Sequence, residues 1–136
     1  IPVSASIAST GTGIRYIGKW AYAYSGQTSL TSAGGATTML DFISGSGVIV
    51  ALVQSGHDTT QMSASQTIST EIQLNEVVIY DHLTLFLSAD TQTADLGSPI
   101  HLIIPPLTRV TIIGETSDTG PIPTTYQLIG RVYGAE

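Results

Sequence analysis

Cysteine is absent from this chain of 136 residues. Disulfide staples and thiolate metal sites are thereby excluded, so core packing and hydrogen bonds must hold the fold. Charge is the second scarcity. Asp, Glu, Lys and Arg make up 10% of the sequence, where about 25% is usual for a globular domain. Only four residues are Lys or Arg, and the net charge is −6. A nucleic-acid backbone is neutralised by clustered cations. Arg15 and Lys19 come nearest to a cluster, and two cations make no patch, so no nucleic-acid partner is expected. Long apolar runs are missing too: the best, Phe42–Gly56, is broken by Ser, Gly and Gln and is too short for a membrane-spanning helix. No membrane partner is expected. No secretory-signal pattern opens the chain. It begins at Ile1 rather than Met, which leaves processing of a leader and truncation equally open.

Apolar residues are not scarce. They form 42% of the chain, with 14 glycines besides, and the mean hydropathy is +0.27. Ser and Thr supply about a quarter of the residues, so the polar exterior must consist mostly of hydroxyls and amides. Designed soluble domains aim for about 25–35% charged surface. The shortfall leads to the expectation that other protein covers part of the exterior, as in an oligomer or larger assembly. The length suits one domain that buries roughly two thirds of the surface its unfolded chain exposes.

Helical periodicity is nearly absent. Strand-like pieces alternate with turn signals such as "SGSG", "SGHD", "LGSP" and "DTGPIP" at intervals of roughly 8–15 residues. Candidate strands lie at 14–24, 36–43, 48–54, 67–74, 77–81, 83–88, 100–104, 110–113 and 125–133. Only 88–97 could carry a short helical turn. The expected fold is therefore all-β: an antiparallel, jelly-roll-like β-sandwich of eight or nine short strands without significant helix. Residues 1–13, uncharged and poorly periodic, read as an extended N-terminal arm, and 14–136 as a single sandwich domain. Asn75-Glu76 is a candidate two-residue hairpin turn, with Glu76 a poor second member. Pro105-Pro106 stops one apolar strand just before another begins. Proline lacks the backbone donor and has a fixed φ, so the pair is expected to form a corner between two sheets.

Three aromatics form the first candidate site. On a strand, Trp20, Tyr22 and Tyr24 share one face and Ala21 and Ala23 the other. The aromatics could stack on sugar rings. Alternatively, Trp20 could anchor the core, or the group could form a subunit seam with the alanines closely approached. The histidines come next: His57-Asp58, Asp81-His82 and His101. Neighbours on a strand point to opposite faces, so neither pair is a ready-made dyad, and no metalloprotease or nucleophile-elbow spacing occurs. No catalytic, metal or cofactor site is expected. The loops Asp90–Asp95 and Glu115–Gly120 carry oxygens that could hold calcium, but neither follows the EF-hand order.

The segments "PIHLIIPPLTRVTI", "GETSDTGPIP" and "YQLIGRVYG", from Pro99 to Gly134, resemble small β-sandwich structural proteins of tailed bacteriophages, of the head-decoration or virion-surface kind. Weaker support comes from Thr37–Val50 and Leu74–Tyr80. The resemblance implies a non-enzymatic viral structural protein at the capsid surface of the virion. Its expected partners are copies of itself, with a trimer the expected number, and a major capsid or other virion protein. It brings no active-site residues with it. A carbohydrate-binding sandwich, lectin-like or a receptor-binding knob, is the alternative. An enzyme ranks third.

Overall fold

The computed structural model describes residues 13–58, 66–86, 99–117 and 122–134. The arm expected at 1–13 (Gly13 apart), the turn expected at 88–97 and the Asp90–Asp95 loop lie outside the described residues, as do positions 118–120 of the second candidate calcium loop. Ten strands and no helix are found among the described residues: β1 (Arg15–Ile17), β2 (Trp20–Tyr24), β3 (Thr28–Leu30), β4 (Thr37–Ile43), β5 (Val48–His57), β6 (Gln66–Leu74), β7 (Val77–Phe86), β8 (Ile100–Ile104), β9 (Arg109–Thr116) and β10 (Ile122–Tyr133). They form two antiparallel sheets. The first runs β1-β2-β10-β5-β8, with β3 also paired to β10, and the second runs β4-β9-β6-β7. The all-β, two-sheet architecture is the one the alternation indicates.

The strand bounds differ in instructive places. Residues 14–24 make two strands, because Gly18 takes φ +58° and turns the chain back at Gly18-Lys19. The break expected at 55–58 begins only at Asp58, and the one expected at His82 does not occur. β5 continues to His57 because β10 supplies ladder partners as far as Thr124, and β7 runs unbroken beside β6. Tertiary pairing overrides weak local turn signals. β3, at Thr28–Leu30, has too little apolar pattern to be seen alone and exists through its pairing with β10.

Between the sheets lies one main core. The first sheet contributes Ala21, Ala23, Ile49, Val53, Ile104, Tyr126 and Leu128, and the second Leu40, Phe42, Ile72, Val110 and Ile112. Buried Thr70 shares the inward row of β6 with Ile68 and Ile72, and its Oγ1 lies 2.6 Å from the Tyr126 hydroxyl. That bond satisfies both polar atoms in the core.

Pro105-Pro106 is indeed a corner: β8 belongs to the first sheet and β9 to the second. The β4–β5 connection crosses between the same sheets beside it, and Ser44 joins the two crossings. The Ser44 hydroxyl donates to the Pro105 carbonyl at 2.8 Å, and the Leu107 N–H donates to the Gly45 carbonyl at 2.8 Å. At the end of β6, Asn75 (φ +51°) and Glu76 (φ +69°) form the expected two-residue hairpin turn. Positive φ at both positions matches the strand twist.

Candidate interaction surface

The outward face of the first sheet brings the three aromatics together with residues that sequence reading did not single out. One row across the strands runs Ile17, Trp20, Arg131, Val50 and Ile103; the next runs Arg15, Tyr22, Ile129, Leu52 and His101. Ile17 is 66% exposed, Ile103 64% and Trp20 51%. Trp20 is therefore no core anchor. The alanines between the aromatics point inward, with Ala21 and Ala23 buried, so they face the opposing sheet rather than a subunit seam.

Arg131 organises this face. Its guanidinium carbon lies 5.7 Å from the centroid of Trp20 and 5.5 Å from that of Tyr133, which is cation–π range. Its Nε is buried and has no hydrogen-bond partner. The Tyr22 and Tyr24 rings stand 5.4 Å apart and tilted by 43°. A shallow recess of about 330 Å³ lies among Ile17, Trp20, Tyr22, Tyr24 and Ile129. A second, of about 410 Å³, opens where Tyr24 meets Gln54, Ser55, Thr125 and Gln127.

A sequence signal for the rest of this surface existed. Val48–Val53 and Leu102–Ile104 are continuous apolar runs rather than alternating ones. Such runs are typical of strands covered on both faces. Here the core covers one face, and Val50 and Ile103 stand exposed on the other.

The fold has relatives among solved structures. A chain in the structure of infectious bursal disease virus, Gx strain, matches with a TM-score of 0.55 and 16% identity, over 86% of this chain and 32% of that one. A chain of the T13 particle of the same virus matches with a TM-score of 0.53 and 12% identity, over 84% of this chain and 31% of that one. At such identities the likeness is one of fold alone. The chain spans about a third of the length of these structures. No protein-family model matches the sequence, and no curated protein matches it significantly.

The histidines lie on three different strands. His57 ends β5, with Nδ1 3.1 Å from the Thr124 hydroxyl; His82 stacks on Tyr80 at the edge of the second sheet; His101 sits on β8 opposite Leu52. Among the described residues, no three His, Cys, Asp or Glu side chains gather as a metal site would require. A well-formed ionic contact lies on the second sheet. There Arg109 grips Asp41 through Nε at 3.0 Å and a second nitrogen at 2.8 Å. That bidentate bond holds the Asp41 carboxyl below its ordinary range. In the core, burial raises the Tyr126 phenol above its ordinary value, partly offset by the bond to Thr70.

Proposed function

We propose that this chain is a non-enzymatic structural protein of a virus particle that works by associating with copies of itself. The observation that carries the reading is the outward face of the first sheet: tryptophan, tyrosine and aliphatic side chains in adjoining rows, on a chain with few charges. Exposed apolar faces of this extent mark protein interfaces. The likeness of fold to chains of a viral particle supports the viral role. In its finer form, the reading makes the protein a capsid-surface component of a tailed bacteriophage. There it decorates or cements the shell as a homo-oligomer, with a trimer the expected number, beside a major capsid protein. Residues 1–13 would serve as an arm that adds to a neighbour's sheet edge. Electron microscopy of the concentrated protein tests the central part. Regular closed or ordered assemblies are expected, and fields of isolated small particles at every concentration would contradict it.

Carbohydrate binding is the second reading. It is favoured by the recess where Tyr24 meets Gln54, Thr125 and Gln127, residues with amide and hydroxyl side chains. Sugar recognition combines such an aromatic surface with polar donors and acceptors. A glycan array with Tyr24→Ala as control decides it: binding lost in the variant supports this reading, and silence across the array ends it.

A further inference from the structure

Among the described residues, the few charges are sorted between the two sheets. Of the four cationic side chains, Arg15, Lys19 and Arg131 belong to the β1–β2 hairpin and β10 of the first sheet, and Arg109 alone belongs to the second. The carboxylates divide the other way. Among the described residues, Asp41, Glu71, Glu76, Asp81 and Glu115 all belong to the second sheet or its hairpin turn, and Asp58 alone follows a strand of the first. Asp58 lies beside Pro123, whose carbonyl accepts its N–H. Arg131 is eight residues farther along β10, roughly 26 Å at the rise of a strand.

Among the described residues, the cations and carboxylates seen to pair are few. Arg109 takes Asp41 and approaches Glu76 at 3.6 Å. That leaves Glu71, Asp81 and Glu115 on the outward face of the second sheet. Glu71 and Asp81 are directly opposed across β6 and β7, an arrangement of like charges that destabilises a sheet. Glu71 accepts a hydrogen bond from Gln73 at 2.6 Å, which leaves the repulsion in place. Beside the carboxylates, Val78 and Leu83 stand exposed. On the opposite side of the sandwich, Arg131 is held between two rings with its Nε buried and unpartnered, and among the described residues it has no carboxylate partner.

We infer that the outward face of the first sheet docks on the outward face of the second sheet of another copy, Arg131 and Lys19 meeting Asp81 and Glu71. This rests on the self-associating reading above and names the surfaces it uses. The apolar rows supply the buried area, and the opposite charges set orientation and exclude the symmetric pairing of like faces. Because the two surfaces lie on opposite sides of one molecule, the contact is head-to-tail. Such contacts close into rings or run on as filaments, according to the rotation between copies.

A charge swap tests the pairing, with light scattering after size exclusion as the readout and thermal melting as the folding check. Arg131→Glu and Asp81→Lys should each weaken self-association by roughly tenfold or more, the effect of a contact worth at least about 1.4 kcal/mol. An equimolar mixture of the two should recover it, because each variant's altered face then meets its opposite. Should Arg131→Glu fail to fold, the exposed Lys19→Glu takes its place. Wild-type self-association that both variants retain would overturn the surfaces named here and leave the self-associating reading standing. A wild-type chain that stays monomeric throughout would overturn both.

Discussion

Ser44 and Thr108 are hydrogen-bonded to each other twice: the Ser44 N–H donates to the Thr108 carbonyl at 2.9 Å, and the Thr108 N–H donates to the Ser44 hydroxyl at 2.9 Å. They close the place where two stretches of chain cross between the sheets. Ser44 is 2% exposed and Thr108 4%, so water cannot replace a lost partner. Ser44→Ala should lower stability by about 1–3 kcal/mol, the cost of a buried polar group left unpaired. Urea unfolding checks it: the midpoint should fall with the slope unchanged.

Gly130 sits between Ala21 on β2 and Ala51 on β5. A Cβ there would lie 2.6 Å from Ile49 Cγ2 and 2.8 Å from the Val50 carbonyl oxygen. The second contact is with backbone and cannot be relieved by a rotamer change. Gly130→Ala should therefore cost at least about 1–3 kcal/mol, read as a lower melting temperature.

Glu76 holds φ at +69° in the β6–β7 turn, a conformation that costs a side-chain-bearing residue about 1–2 kcal/mol and glycine almost nothing. Its contact with Arg109 is long and exposed, so little is lost with it. Glu76→Gly should stabilise the protein by about 0.5–1 kcal/mol after the added freedom of the unfolded chain is counted. Chemical denaturation measures the gain.

Burial raises the Tyr126 phenol above its ordinary value. The folded state thus favours the neutral form, so this contribution is fully present below the unfolded value of about 10 and is lost as pH rises through the folded value. Tyr126→Phe should flatten the alkaline fall in stability. At neutral pH it should cost about 1–3 kcal/mol, because the Thr70 hydroxyl loses its partner. Melting curves taken at neutral and alkaline pH separate the two effects.

Much of the architecture was legible in the sequence because it rests on local rules. The apolar strand at Ile100–Ile104, the Asn75-Glu76 turn and the proline corner each follow from local apolar content or from restricted φ. What was hidden depends on partners distant in sequence. β3 exists through β10, and β5 outlasts its turn signals for the same reason. Trp20, Tyr22 and Tyr24 were visible as a row. Which side of that row faced the core was not, since small alanines can line a core as well as a seam. Arg131 was missed because its role comes from Trp20 on the neighbouring strand and Tyr133 two residues on, an arrangement seen only when β2 and β10 are paired.

Trp20 is the only tryptophan in the chain and stands 51% exposed on the surface assigned to self-association. Its fluorescence therefore reports directly on that face. Over a dilution series followed in parallel by light scattering, the emission maximum should move to shorter wavelength as the mass rises above the 14.2 kDa of a single chain. An emission maximum that stays at the wavelength of a solvated indole at every concentration, with the mass fixed at one chain, would contradict the claim that other protein covers this face.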